Sequence, residues 1–102
     1  MVEVIQTSVF ENWFGGLRDR NAKARIEARI RRLTLGNTGD VKPVGDGVSE
    51  MRISYGPGYR VYFLQHGQLV VVLLCGGDKS TQAKDIENAK KYAAIWKEEY
   101  DG

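Results

Sequence analysis

Four side chains in the second half of the chain have the types that phosphoryl chemistry uses: Arg52, Arg60, Tyr62 and Lys79. Transfer at an RNA phosphodiester needs positive groups that hold the phosphate and stabilise charge gathering on its oxygens. Arginine serves that need with a planar fork that bonds two oxygens at once. A second need is a group that deprotonates the 2′-hydroxyl and one that protonates the leaving oxygen. Tyr62 and Lys79 are the candidates for that work, although both types have ordinary pKa values near 10, poorly matched to neutral pH. The plainer alternative for the same arginines is pairing with surface acids such as Glu50.

Other constellations fall away on spacing. Gly77-Asp78-Lys79-Ser80 is not a nucleotide-binding loop, because Asp78 stands where the glycine before the lysine belongs. Free amides at the start of the last helix, with Lys79 beside them, could still hold one phosphate; a plain glycine-rich connection explains the run equally well. His66 is the single histidine, falls in the turn His66-Gly67-Gln68, and has no activated serine near it in sequence. Cys75 is the single cysteine, which excludes an internal disulfide and a multi-cysteine zinc site, and it reads as core. Asp85, Glu87, Glu98 and Glu99 read as solvated helix charges, so no metal or other cofactor is expected.

Which elements would position the four side chains? Val2 to Gln6 alternates as a short opening strand. Ser8 and Glu11 have capping-box spacing, and Phe10, Trp13, Phe14 and Leu17 then line one face of a helix cut short at Gly15-Gly16. A second helix runs from about Asn21 to Leu35, with Ala22, Ile26, Ile30 and Leu33 on its apolar side and Gly36 as its stop. Val41 to Val44 is an edge strand, demoted by Pro43. Val48 to Tyr55 and Tyr59 to Gln65 alternate around Gly56-Pro57-Gly58, the pattern of a hairpin. A three-residue loop would set Tyr55 opposite Tyr59, Ser54 opposite Arg60 and Arg52 opposite Tyr62. Met51, Ile53, Tyr55, Tyr59, Val61 and Phe63 then face the core, and Glu50, Arg52, Ser54, Arg60, Tyr62 and Leu64 form the other, open face. Leu69 to Cys75 is apolar without alternation, as in a strand covered on both sides. Ser80 is the expected cap of a closing helix that buries Ile86, Ala89, Ala93, Trp96 and Tyr100. The class is α+β: a small, mostly antiparallel sheet with two N-terminal helices and a C-terminal helix, one domain over residues 1–102.

The chain of 102 residues carries a net charge of +2, with 42% hydrophobic and 27% charged residues, which argues against disorder and for a single core. Its distribution is uneven. Arg18, Arg20, Lys23, Arg25, Arg29, Arg31 and Arg32 oppose only Asp19 and Glu27, a local charge of +5, whereas residues 80–102 sum to −1. Such a basic helix suits a polyanion or an acidic partner, or is simply a solvated face. No apolar run approaches the roughly 20 residues of a membrane span, and the N-terminus lacks the pattern of a signal peptide. The expected location is the cytoplasm, away from any membrane.

Three features together resemble the RelE/ParE toxin superfamily: the order of elements, the segment from Glu50 to Phe63 (EMRISYGPGYRVYF), and Leu74 to Gln82 (LCGGDKSTQ) followed by Asp85-Ile86 and Ala89. Within it the chain resembles the HigB-like addiction module killer proteins, a branch also found in phages. The resemblance covers nearly the whole chain. It implies the toxin half of a type II toxin–antitoxin pair, folded as a small antiparallel sheet packed with helices. Many relatives enter the ribosomal A site and cut mRNA without a metal, leaving 2′,3′-cyclic or 3′-phosphate ends. Carried over, Arg60 is the transition-state phosphate ligand, Arg52 the basic group of the preceding strand, and Lys79 a further basic group. RNA-cleaving members usually offer a tyrosine or histidine near the end of the last strand; this chain has Gly76-Gly77-Asp78-Lys79 there. That departure keeps two alternatives open: a ParE-like inhibitor that binds DNA gyrase without chemistry, and an inactive interaction module. The helix Arg18–Arg32 is expected to face ribosomal RNA. The implied partners are a cognate helix-turn-helix antitoxin, the ribosome and mRNA, with operator DNA reached only through the antitoxin.

Overall fold

A computed structural model describes residues 2–101. Five strands form one mixed sheet in the order β1-β5-β4-β3-β2. They are β1 (Glu3–Gln6), β2 (Val41–Gly45), β3 (Val48–Ile53), β4 (Tyr59–His66) and β5 (Val70–Gly77). All neighbours are antiparallel except β1, which runs parallel to β5 at one edge. Helices α1 (Ser8–Gly15) and α2 (Arg20–Thr34) follow β1, and α3 (Gln82–Asp101) closes the chain after one 3-10 turn, Lys79–Thr81. The protein is α+β, as the periodicities predict.

The sheet has a hydrophobic core on each face. On one, Phe10, Ile26 and Leu33 from α1 and α2 pack on Met51, Ile53, Val61, Phe63, Val71 and Leu73, with Trp13, Phe14, Leu17, Tyr55 and Tyr59 at the margin. On the other, Ala89 and Ala93 of α3 pack on Val48, Tyr62, Leu64, Val72, Leu74 and Cys75, with Ile86 and Trp96 beside them. The unbroken apolar run of β5 follows from this double cover. Val71 and Leu73 face one core while Val72, Leu74 and Cys75 face the other; a bulge opposite Tyr62 and Phe63 adds the extra β5 residue that turns both Leu74 and Cys75 toward α3. Burial, aided by the Asp85 charge, pushes the Cys75 thiol up to about 12, which suits an inert core residue.

Tertiary contacts move several boundaries by a residue or two. Thr7, not Ser8, caps α1: its hydroxyl accepts from Phe10 N at 3.1 Å and donates to the carbonyls of Leu73 and Leu74 at the bulge. Asp19 caps α2, accepting from the amides of Asn21 and Ala22. Asp78, not Ser80, caps the start of the final helical segment through Ser80 N at 2.8 Å. Tyr100 is largely exposed instead of core. His66 ends β4 half-buried, edge-on to Trp96 and Tyr100 at 5.2 and 4.8 Å between centroids, so it is an aromatic partner of α3 and not a free turn residue. No helix among the described residues is long and apolar enough to cross a membrane.

Candidate functional site

The hairpin loop is longer than its glycines suggest. Ile53 pairs with Tyr59, Arg52 with Arg60 and Glu50 with Tyr62, so the loop spans Ser54–Gly58. Tyr55 leaves the ladder because α2 draws it away: its hydroxyl donates to Asp19 Oδ2 at 3.0 Å and Arg25 lies 4.6 Å above its ring. The slip is two residues, so every side chain keeps its expected face. What changes is the neighbour. Arg52 and Arg60 stand directly opposite each other, two like charges at a spacing of roughly 5 Å between Cβ atoms.

Each arginine meets a different acid. Arg52 is half-exposed and donates from Nη2 (2.8 Å) and Nε (3.3 Å) to one oxygen of Asp40, Oδ1, a contact that raises its pKa. Arg60 turns inward: its side chain is 12% exposed, Nη1 donates to Gly58 O at 2.9 Å, and Nε lies 3.6 Å from Glu50 Oε2. That last distance is a charge contact and too long for a hydrogen bond, and Nε has no hydrogen-bond partner among the described residues. Asp40, Arg52, Ile53, Ser54, Gly58, Tyr59 and Arg60 together line an open cleft of about 370 Å³.

The face expected to be open is covered for most of its length. Helix α3 lies over Glu50 (1% exposed) and Tyr62 (0%), and only the Arg52–Arg60 end emerges. Tyr62 is therefore not a surface base. Its hydroxyl donates to Glu50 Oε2 at 3.1 Å, and burial, then the Glu50 charge, push its phenol far above the ordinary tyrosine value. Gln82 of α3 donates to the same oxygen at 2.9 Å. Glu50, Tyr62 and Gln82 thus form a buried polar cluster that presents one carboxylate to the back of Arg60.

Lys79 does reach the site's rim. Its amide donates to Pro57 O at 3.4 Å, and its Cβ lies 3.5 Å from where a side chain on Gly58 would begin. The glycines before it have packing reasons. A Cβ at Gly76 would overlap the Trp13 ring, and one at Gly77 would overlap the Asp85 carboxylate. Asp78 occupies the Ser80 amide and also accepts from Ser80 Oγ, which lowers its own pKa, so that amide is not open to a phosphate. The run is a close-packed connection.

The basic residues of α2 and of the connection just before it, where Arg18 lies outside the helix, divide into groups. Arg25, Arg29 and Arg32 lie at i, i+4 and i+7 and line a second cleft of about 240 Å³ with Ala28, Ile53 and Ser54. Ile53 and Ser54 border both clefts, so a basic strip runs from α2 to the arginines of β3 and β4. Arg29 is committed within it: Nη1 donates to Arg52 O at 2.6 Å and Nη2 to Thr38 O and Asp40 O at 3.3 and 3.2 Å, and burial lowers its pKa. It braces the fold instead of offering a free contact to RNA. Lys23 folds its ammonium over Phe14 at 5.5 Å. Arg18, Arg20, Arg31 and Arg32 are exposed, and Arg31 borders a different groove with Glu27 and Ile30.

Asp40 is the site residue that sequence reasoning missed. In the sequence Gly39-Asp40 is only a turn signal ahead of Val41, and no local pattern places it beside Arg52. Among the described residues no three His, Cys, Asp or Glu side chains cluster as metal ligands do.

No described protein family's sequence profile matches the chain. A protein of Haemophilus influenzae, described only as uncharacterized, is 51% identical over 92 residues, covering 90% of this chain and 93% of that protein. At that identity and coverage, the chain belongs to the same family as the Haemophilus influenzae protein.

Proposed function

We propose that this chain is the toxin of a type II toxin–antitoxin pair, in the HigB-like branch of the RelE/ParE superfamily, and acts in the cytoplasm as a ribosome-dependent mRNA endoribonuclease. The observation that carries this reading is the paired arginines. Arg52 and Arg60 face each other across β3 and β4 in one open cleft, and Arg25 and Arg32 extend the positive strip onto α2. Two forks at one phosphate hold it and stabilise the charge that develops on its oxygens, which is the largest contribution protein groups make to such a transfer. Arg60 is the better held of the two, backed by buried Glu50, and takes the role of principal phosphate ligand. Lys79 at the rim adds charge and can donate a proton to the leaving oxygen. The strip on α2 tracks the backbone of ribosomal RNA, with affinity that falls steeply with salt. A helix-turn-helix antitoxin would neutralise the protein by covering this strip.

One observation favours a second reading. Burial of Tyr62 removes a candidate base, which suits a ParE-like inhibitor that binds DNA gyrase without chemistry. Mapping mRNA 5′ ends minutes after inducing this chain alone in a bacterial host separates the two. New ends inside coding regions, in phase with codons and lost when translation is blocked, are the expected result. Growth arrest with intact transcripts and broken DNA would instead identify gyrase as the target.

A further inference from the structure

Resting on the nuclease reading, we infer that Asp40 is the general base that takes the 2′-hydroxyl proton. Among the described residues it is the sole carboxylate lining the cleft that Arg52 and Arg60 share. Both hydrogen bonds from Arg52 land on Oδ1, and Oδ2 has no hydrogen-bond partner among the described residues. The side chain is 50% exposed and borders the open cleft. A base must reach within roughly 3 Å of the proton it takes, and Asp40 lines the same cleft as the two arginines that would grip the phosphodiester.

The other acids near the site cannot do this work. Glu50 is buried beneath α3 and bonded to Tyr62 and Gln82. Asp19 is held by Tyr55 and two helix amides, and Asp78 by Ser80.

Asp40 is also rigidly placed for a residue in a glycine-rich turn. Its carbonyl accepts from Arg52 N at 3.0 Å, extending the β2–β3 ladder by one residue. The same carbonyl and that of Arg52 accept from the Arg29 fork, so one α2 side chain ties the base and the phosphate ligand together. Gly39, at φ +65°, makes room: a Cβ there would lie 2.9 Å from Arg29 Nη2.

In the reaction, Asp40 Oδ2 accepts the 2′-hydroxyl proton as the 2′-oxygen bonds to phosphorus. The P–O5′ bond breaks, and its electron pair leaves with the 5′-oxygen. That oxygen takes a proton from Lys79, which regains one from water, and Asp40 returns its own to solvent. The products are a 2′,3′-cyclic phosphate and a 5′-hydroxyl, with no co-reactant.

The test uses the full chain on bacterial ribosomes programmed with a defined mRNA, measuring single-turnover cleavage and ribosome affinity together. Asp40→Asn removes the base and one negative charge from a phosphate site, so the two readouts should separate. Cleavage should fall about 10²–10⁴-fold while affinity stays equal or tightens. Asp40→Glu should restore part of the rate, and melting curves confirm that both variants fold. Wild-type cleavage by Asp40→Asn would overturn the assignment and make Asp40 a placeholder that phosphate displaces. Loss of cleavage and affinity together would also overturn it, reducing Asp40 to a support for Arg52. A wild-type chain that binds ribosomes but cuts nothing would refute the nuclease reading itself, and Asp40's role with it.

Discussion

Two acid–arginine pairs meet around the paired arginines of β3 and β4, and they are built in opposite ways. Glu50 lies beneath α3, 1% exposed and bonded by Tyr62 and Gln82, and Arg60 turns inward to within 3.6 Å of it. Asp40 and Arg52 lie at the rim, both about half-exposed, with one carboxylate oxygen free. A buried carboxylate must be matched by neighbours or the fold suffers, whereas an exposed ion pair exchanges readily with water and contributes little stability. The contrast suggests a division of labour, in which the inner pair fixes where Arg60 stands and the outer pair is free to meet a ligand.

The largest expected effect comes from the inner pair. Glu50→Ala strips Tyr62 and Gln82 of their shared acceptor and Arg60 of its counter-charge, and should destabilise the protein by about 3–5 kcal/mol, read from denaturant unfolding. A small shift would mean that the cluster is wetter than its burial suggests. Tyr62→Phe is milder, at about 1–3 kcal/mol, because Glu50 keeps Gln82. Growth arrest on induction should survive Tyr62→Phe; its loss in a folded variant would return Tyr62 to the chemistry.

The inner cluster should also govern behaviour in alkali. Burial raises the Tyr62 phenol, so it stays protonated in the folded state at pH values where the unfolded chain ionises it. Its contribution is complete below about pH 10, the ordinary tyrosine value, and is lost as pH rises above it. Cys75 acts in the same direction from about pH 8.5 up to its raised value of about 12. Melting temperatures between pH 8 and 11 should therefore fall less steeply for Tyr62→Phe than for the wild type; parallel slopes would contradict the burial of its hydroxyl.

The outer pair should show the reverse signature. Arg52→Ala should leave the melting temperature within about 4 °C of wild type, as an exposed substitution does. The same change should reduce cleavage by roughly 10²-fold and lower the salt slope of RNA binding by about one. A large melting shift without loss of activity would dissolve the distinction between the pairs.

The sequence makes half of this contrast legible. Alternation along Val48–Ile53 and Tyr59–Gln65 assigns each residue to a face, and that assignment survives a loop two residues longer than expected because the side-chain period is two. What local patterns cannot reveal is what covers a face. The docking of α3 over Glu50 and Tyr62 depends on Gln82, 32 residues beyond Glu50, and on Ala89 and Ala93 farther still, and turns an expected surface tyrosine into core. The loop length itself is set by Tyr55 reaching Asp19 on the far side of the chain. Asp40 stayed hidden for a similar reason, since its meeting with Arg52 depends on the β2–β3 register and on Arg29 bracing the turn from α2. The glycines at 76 and 77 suggested phosphate binding, but the contacts with Trp13 and Asp85 that require them are tertiary.

Growth after induction of Arg60→Lys, at protein levels and melting temperature matched to wild type, tests the central claim most directly. Lysine keeps the charge beside Glu50 but loses the two-pronged grip on phosphate. The cleft described above predicts a folded protein that no longer arrests growth and leaves mRNA 5′ ends unchanged. A folded Arg60→Lys chain that arrests growth as the wild type does would contradict Arg60 as the phosphate ligand.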